Sequence, residues 1–239
     1  MGKKWAKYFD DFIKVSQPKD LTELPSFQNG LFAIQDESTA LATQLLALEE
    51  GDTVLDMCAA PGGKTCHIGQ LVGDAGKVIA VDIKTNRLNL LKENAARLGL
   101  KSIQALLGNS AEIDLPKVDK ILLDAPCSGL GVLSKRADLR WKRKPEDIFT
   151  IRKIQKQLLE NAAGLVKRDG TLVYSTCTLE PEENEKLIEA FLKKHSNFQV
   201  DRDSNSALRS FSTHEGYWTS VPYEHKMDGV FAVKLINSN

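Results

Sequence analysis

Two patterns of hydrophobic and polar positions alternate along residues 51–236. Short apolar runs predict buried strands, and longer stretches with apolar residues every three to four positions predict helices. The predicted strands cover residues 53–57, 77–82, 103–107, 120–124, 171–175 and 230–236. The predicted helices cover residues 64–72, 85–98, 145–166 and 181–194. This alternation predicts an α/β protein whose parallel sheet is covered by helices on both faces.

The N-terminal region lacks this regular alternation. Residues 1–30 contain proline and glycine breakers, and we interpret them as an arm or the remnant of a preceding module. Residues 31–239 then form one domain. A short strand is expected at 30–34, and a capped helix is expected over 39–48.

Composition narrows the classes of protein that fit. The 32 Lys and Arg residues balance the 32 Asp and Glu residues, so overall charge does not indicate a nucleic-acid partner, and that question depends on local patches. No run is long enough to span a bilayer, and the N-terminus lacks a signal-peptide core, so we expect a cytoplasmic protein without membrane contact. The four cysteines form no C-x-x-C pair, so no metal site is expected.

A cluster of small residues joins the first predicted strand to the next helix. Residues 56–65 read DMCAAPGGKT. A phosphate-binding loop would need glycine where Cys58 stands, and Pro61 lacks a donor N–H. The dinucleotide fingerprint G-x-G-x-x-G is absent. An S-adenosylmethionine loop fits best, because that ligand has no phosphate and needs close backbone approach, which Gly62 and Gly63 permit.

Two polar residues follow the next strands. Asp82 ends the second predicted strand, where its carboxylate can accept hydrogen bonds from both hydroxyls of a ribose. Asn109 follows the third strand and is either an adenine contact or a turn residue.

Two cysteines lie at predicted strand ends. Cys127 follows the fourth strand in DAPCSG, and Cys177 follows the fifth in YSTCT. Because these strands are usually near neighbours in a doubly wound sheet, we expect both thiols in one cleft beside the cofactor. Cys58 and Cys66 are expected to be buried as small hydrophobic residues.

Paired thiols suit methylation of cytosine at C5. A thiolate that adds to C6 makes C5 nucleophilic toward a methyl sulfonium. Asp124 is positioned to stabilise charge at N3, and a second cysteine can assist release after the C5 proton is removed. The attacking cysteine is expected to have a lowered pKa. Spacing alone leaves open which cysteine attacks.

The sequence resembles the Sun (Fmu) family of RNA cytosine-5 methyltransferases. The resemblance runs from about Gly30 to the C-terminus and rests on QDES at 35–38, the loop at 56–65, DAPCSG at 124–129 and YSTCTLEPEENE at 174–185. It implies a class I methyltransferase fold, which is Rossmann-like with a mostly parallel seven-stranded sheet and an antiparallel C-terminal strand.

The same resemblance implies roles for particular residues. The implied S-adenosylmethionine contacts are Cys58, Ala59, Ala60, Pro61, Gly62, Gly63, Lys64, Asp82, Asn109 and Asp124. Cys177 is implied to be the nucleophile, Cys127 to assist product release, and Lys64 to hold the active site. The family usually has aspartate where Asn109 stands, and the RNA-binding domain that often precedes the catalytic domain is missing or reduced to residues 1–30.

A basic segment follows the Cys127 loop directly. The candidate RNA contacts in it are Lys135, Arg136, Arg140, Trp141, Lys142, Arg143 and Lys144. Cations would contact phosphates, and the tryptophan either stacks on a base or is buried. The resemblance favours ribosomal RNA of the small subunit as substrate, with transfer RNA second, and we expect a monomer. The alternative hypothesis is an RNA-binding ribosome-assembly factor that keeps the fold without turnover.

Overall fold

The computed structural model describes residues 3–16, 19–202 and 206–238. Residues 1–2 and 17–18 of the predicted N-terminal arm lie outside the described residues. The strands are β1 (Lys3–Trp5), β2 (Ile13–Val15), β3 (Thr53–Asp56), β4 (Lys77–Asp82), β5 (Ile103–Leu107), β6 (Val118–Asp124), β7 (Val166–Thr176), β8 (Phe198–Val200), β9 (Trp218–Ser220) and β10 (Val230–Asn237). The α-helices are α1 (Pro25–Gln28), α2 (Ala40–Leu45), α3 (Gly63–Val72), α4 (Thr85–Arg97), α5 (Leu139–Lys142), α6 (Pro145–Leu165), α7 (Glu185–Lys194) and α8 (Pro222–His225).

The main sheet confirms the expected fold class. Its order is β5-β4-β3-β6-β7-β10-β8; strands β3 to β7 pair in parallel, and β10 is antiparallel to β7. The expected count of seven strands is wrong, because this sheet has eight in the described part of the chain. The short β9 pairs with the start of β10, and β8 pairs with its end.

The chain order reverses at β3. From this strand the sheet grows through β4 on one side and through β6 on the other. In open parallel sheets ligands bind beyond the carboxyl ends of the strands at such a switch point. The loops after β3, β4, β6 and β7 therefore meet at one edge of the molecule.

Apolar layers cover both faces of the sheet. On one face Leu158 and Phe191, from α6 and α7, pack against buried strand residues such as Phe231. On the other face Leu41 and Ile68, from α2 and α3, pack in a second buried cluster. Burial on both faces explains why the central strands read as continuous apolar runs.

Several element boundaries differ from the sequence-based expectations. Residues 30–34 form no regular strand or helix, which corrects the expected strand. The helix predicted over 181–194 starts at Glu185, because residues 181–184 form a turn. The Glu183 carbonyl and the Asn184 side chain of this turn hydrogen-bond to the preceding segment. Strand β7 begins at Val166, directly after α6 ends.

The N-terminal hairpin packs against the rest of the molecule. Strands β1 and β2 pair antiparallel. The backbone N–H groups of Tyr8 and Phe9 both donate to the Glu37 carboxylate, at 2.6 and 3.2 Å. The Phe9 ring is buried and stacks on Phe211 with centroids 6.0 Å apart. Residues 5–16 of the predicted arm are thus docked on the sheet domain. Among the described residues, no helix has the length and apolar character required to cross a membrane.

Candidate active site

The loop after β3 crosses the carboxyl edge of the sheet. Its Met57 N–H donates to the Leu122 carbonyl at 2.9 Å, and its Ala59 N–H donates to the Val81 carbonyl at 2.9 Å. The loop is therefore tied to β6 on one side and to β4 on the other. This contact set holds the predicted cofactor segment, 58–64, in one continuous turn leading into α3.

Close packing explains the glycine at the end of this loop. Gly62 has φ +106°, and a Cβ at this position would lie 2.9 Å from the Leu91 side chain. Below the loop, the Thr65 hydroxyl donates to Asp56 Oδ2 at 2.7 Å and to the Ala59 carbonyl at 3.1 Å. Burial raises the pKa of Asp56 to about 7, although the Thr65 hydrogen bond opposes that rise. The loop is supported from beneath by a buried carboxyl group.

Asp82 lies at the end of β4 beside this loop. Its Oδ2 accepts the Ala60 N–H at 3.2 Å, and its Oδ1 accepts the Lys84 N–H at 2.9 Å. Each carboxylate oxygen can accept a second hydrogen bond. Sequence analysis missed two neighbours. Ile83 is 64% exposed, and the Arg87 guanidinium donates to the Ala60 carbonyl. The signal available in the sequence for Ile83 is an apolar residue directly after a strand-ending acid.

Asn109 acts as a turn residue in this structure. Its Oδ1 accepts the Ala111 N–H at 3.1 Å, and its carbonyl accepts the N–H groups of Glu112 and Ile113. These contacts fit the turn role, and the adenine contact stays a prediction, because the Asn109 side-chain oxygen can accept a second hydrogen bond. The following residue, Ser110, is buried and donates to the Met57 carbonyl, so it links this turn to the loop after β3.

The two cysteines at the strand ends lie in contact. Strands β6 and β7 are paired so that Asp124 is opposite Ser175, which brings the loops that follow them together. Cys127 Sγ lies 3.0 Å from Cys177 Sγ, and the Cys177 N–H donates to Cys127 Sγ at 3.2 Å. Both are free thiols with partial exposure. The expected proximity of the two sulfur atoms is present.

The two thiols differ in acidity. The pKa of Cys177 is lowered by the hydrogen bond from Cys127 and by the positive charge of Lys64, against the opposing effects of burial and Asp124. The pKa of Cys127 is raised well above its usual value by its hydrogen bond to Cys177, by burial and by the negative charge of Cys177. Within this coupled pair, these directions favour loss of the proton from Cys177 before Cys127.

A buried ion pair lies beside the thiols. Lys64 Nζ lies 2.7 Å from Asp124 Oδ2, with 14% and 30% of the two side chains exposed. The Ser175 hydroxyl donates to Asp124 Oδ1 at 2.7 Å. Burial acts to lower the pKa of Lys64, but the Asp124 carboxylate raises it overall. Lys64 is thus held as a cation next to Cys177.

The remaining two cysteines are poor nucleophiles. Burial raises the pKa of the Cys58 thiol, and neighbouring carboxylates add to that effect. Burial also raises the pKa of Cys66 to about 11. Cys66 is buried, whereas Cys58 is partly exposed within the cofactor loop. The described residues contain no group of three or more His, Cys, Asp or Glu side chains arranged as metal ligands.

Two cations proposed to contact RNA are engaged within the protein. Lys135 forms ion pairs with Asp228 at 2.8 Å and with Asp36. Arg143 Nε donates to the Ser128 carbonyl at 2.8 Å. These contacts brace the chain that follows Cys127, and they also explain part of the QDES segment, since Asp36 belongs to it.

The rest of the basic segment faces outward. Its exposed members are Arg136, Arg140, Trp141, Lys142 and Lys144. Arg136 and Lys142 both pair with Asp138, at 3.3 and 3.0 Å. Trp141 is 84% exposed, so the alternative of a buried tryptophan is wrong. The exposed ring, Arg140 and Lys144 are the members of this segment best placed for contact with another molecule, because neither cation forms an ion pair among the described residues.

The chain is similar to known RNA methyltransferases. The model of a family described as 16S rRNA methyltransferase RsmB/F matches residues 43–236. The probable ribosomal RNA small subunit methyltransferase B of Synechocystis sp. is 42% identical over 221 residues, which make up 90% of this chain and 50% of that protein. Ribosomal RNA small subunit methyltransferase B of Shewanella oneidensis is 37% identical over 233 residues, with coverage of 96% and 53%.

A solved structure is similar over most of the chain. The crystal structure of NSun6 from Pyrococcus horikoshii with SFG is 35% identical and has a TM-score of 0.84, with coverage of 93% of this chain and 57% of that one. The chain spans about half the length of the curated relatives that it matches.

Proposed function

Since the chain belongs to the RsmB/F family of methyltransferases, we propose that it is the catalytic part of an S-adenosylmethionine-dependent RNA cytosine-5 methyltransferase. One observation carries the proposal. A thiol with a lowered pKa lies 3.0 Å from a second thiol, beside a lysine–aspartate pair, at the carboxyl edge of the sheet. Two thiols in this arrangement suit covalent catalysis on a pyrimidine ring.

The residues at the edge of β4 fit the proposed cofactor. The Asp82 carboxylate is buried and retains acceptor capacity for ribose hydroxyls, because each oxygen has one backbone donor. The exposed Ile83 offers an apolar surface for an adenine ring, and the loop after β3 lies close by, because its Ala60 N–H donates to Asp82. Similarity to NSun6, whose structure was solved with SFG, an S-adenosylmethionine analogue, supports this assignment.

The proposed reaction begins at Cys177. Its thiolate adds to C6 of the target cytosine, the C5–C6 double bond opens, and Asp124 passes a proton from the Lys64 ammonium group to N3, where negative charge develops. This proton returns to Lys64 when the C5–C6 double bond is restored. Lys64 favours the thiolate before attack, because its positive charge lies nearby. S-adenosylmethionine supplies an electrophilic methyl group to C5 when it is bound. The proposed roles of Cys177 and Asp124 follow from their positions, directly after β7 and at the end of β6.

Release uses the second thiol. When Cys177 becomes bonded to carbon, its hydrogen bond and negative charge no longer raise the pKa of Cys127. Cys127 can then lose its proton to solvent and take the proton from C5. The electrons of the C5–H bond re-form the C5–C6 double bond and expel Cys177 as thiolate. The order of the two steps thus follows from the coupling of the thiols.

The proposed substrate is 16S ribosomal RNA, with transfer RNA second. The names of the curated relatives support the small ribosomal subunit. The target base has to leave any helix to reach the thiols, so a flipped or single-stranded cytosine is expected. Arg140 and Trp141 are proposed to contact RNA, while Lys135 and Arg143 shape the site. The proposal includes a monomeric, cytoplasmic protein.

The test uses two alanine variants with RNA and S-adenosylmethionine. Cys127→Ala should accumulate a covalent protein–RNA adduct, since attack proceeds and release stalls. Cys177→Ala should form none, and Cys66→Ala should behave like the unaltered protein. Gel mobility after denaturation reports the adduct, and mass spectrometry of digested RNA reports 5-methylcytosine. An adduct with Cys177→Ala alone would exchange the roles. Intact RNA binding with no adduct and no methylated cytosine in any variant would instead favour an assembly factor without turnover.

A further inference from the structure

A fully buried carboxylate lies behind the thiol pair. Glu183 is the sixth residue after Cys177, and it has no exposed surface. Its Oε2 accepts the Ser128 N–H at 2.9 Å and the Gln155 side-chain amide at 2.9 Å. Among the ion pairs of the described residues none includes Glu183. A buried carboxylate without a neighbouring cation is costly, so its polar contacts call for an explanation.

These contacts hold the backbone on both sides of Cys127. The Ser128 N–H, which Glu183 accepts, directly follows this cysteine. The Gln155 amide also donates to the Pro126 carbonyl at 3.0 Å, directly before it. The Glu183 carboxylate and the Gln155 amide therefore hydrogen-bond to the peptide groups on either side of Cys127.

Glu183 is itself anchored to the segment that carries Cys177. The Tyr174 hydroxyl of β7 donates to the Glu183 carbonyl at 2.7 Å. The next residue, Asn184, accepts from the Thr176 hydroxyl at 2.7 Å and donates to the Thr178 carbonyl at 2.9 Å. The turn over 181–184 is thus fixed to the residues on either side of Cys177, and its glutamate reaches across to the other loop.

We propose that Glu183 is a positioning residue that holds the Cys127 loop against Cys177, so that the two sulfur atoms stay within hydrogen-bond distance. The meaning of this contact for catalysis rests on the proposed function, but the contact itself does not. Loss of the Glu183 bridge frees the Ser128 N–H and lets Cys127 Sγ move away from Cys177. Cys177 then keeps Lys64 and Asp124 as charged neighbours but loses its hydrogen bond from Cys127.

The test measures the reactivity of Cys177 without RNA or cofactor. Glu183→Ala, Glu183→Gln and the control Glu182→Ala are alkylated with iodoacetamide over a range of pH, and peptide mass spectrometry follows Cys177. The control residue is adjacent, exposed and paired with Lys186. Glu183→Ala should shift the alkylation midpoint upward by about one pH unit, because the thiolate loses a donor. Glu183→Gln should restore the normal midpoint, since its amide oxygen can accept the same two bonds.

Circular dichroism establishes that each variant is folded. If Glu183→Ala does not fold, Gln155→Ala carries the test, since it releases the Pro126 carbonyl and should shift the midpoint in the same direction. An unchanged midpoint in the folded Glu183→Ala protein, or in Gln155→Ala when that variant has to replace it, overturns the proposal. Because alkylation needs no substrate, a failure of RNA methylation leaves this result interpretable.

Discussion

Replacement of Lys64 and replacement of Asp124 should shift the pKa of Cys177 in opposite directions. Lys64→Met removes the cation that favours the thiolate and leaves the Asp124 carboxylate unopposed. Asp124→Asn removes the anion that disfavours the thiolate and leaves the lysine. A thiolate exists above its pKa, so the first change should move its appearance to higher pH and the second to lower pH.

The size of each shift follows from the burial of the pair. A neighbouring charge changes a pKa by about 1–3 units, and partial exposure of the Asp124 side chain places the expectation near the lower end, at about 1 unit. One unit corresponds to about 1.4 kcal/mol between the two protonation states. Below its midpoint, Lys64→Met should therefore hold about tenfold less Cys177 thiolate than the unaltered protein.

The same strand offers a matched control. Lys120 and Asp52 also lie 2.7 Å apart, with 17% and 22% of their side chains exposed. Lys120 is at the start of β6, whereas Asp124 is at its end, about 13 Å further along the strand. Lys120→Met should leave the alkylation profile of Cys177 unchanged. Shifts of the same sign in Lys64→Met and Asp124→Asn, or an equal shift in Lys120→Met, would refute the electrostatic explanation.

Three further outcomes are expected. Gly131→Ala should lower both Tm and methyl transfer, because its Cβ would lie 2.2 Å from the Gly229 carbonyl oxygen. Thermal melts and methyl incorporation measure the two effects, and an unchanged Tm and transfer rate would contradict the prediction. Asp56 has its pKa raised from 3.8 to about 7 by burial, so stability should fall as pH rises through that window, and Asp56→Asn should flatten the fall in urea unfolding. Trp141→Ala should weaken binding to a 16S rRNA fragment by about 1–3 kcal/mol without change in Tm, whereas Tyr223→Ala, which also removes an exposed aromatic ring, should not weaken it.

Much of the site followed from the position of residues relative to strand ends. Apolar runs marked the central strands closely, and β4 and β5 have the expected bounds. Parallel strands bring their carboxyl ends to one edge, so the sequence alone predicts that Asp82, Cys127 and Cys177 lie near one another. The sequence pattern was sufficient to predict these positions, because a residue at the carboxyl end of a parallel strand lies at a known edge of the sheet.

Other features depended on contacts that no local pattern encodes. Lys135 belongs to a basic segment in the sequence, yet two carboxylates from distant segments, Asp36 and Asp228, neutralise it. Asn109 follows a strand as a ligand residue would, and the structure adds that its side-chain oxygen accepts the N–H of Ala111, two residues later. Charge and position in the sequence could not reveal which partners these side chains meet.

The sequence by itself determined the fold class and the central strands, because these follow from hydrophobic periodicity. It also determined that Cys127 and Cys177 share a cleft, because both follow parallel strands that end at the same edge of the sheet. Only the tertiary structure decided which of the two thiols has the lower pKa. It also decided that the Glu183 carboxylate binds the loop that carries Cys127. Those properties arise from hydrogen bonds and charges between residues about fifty positions apart, such as Cys127 with Cys177 and Ser128 with Glu183. The strength of these interactions depends on distances between side-chain atoms in the folded protein. The hydrophobic pattern of the sequence does not contain those distances.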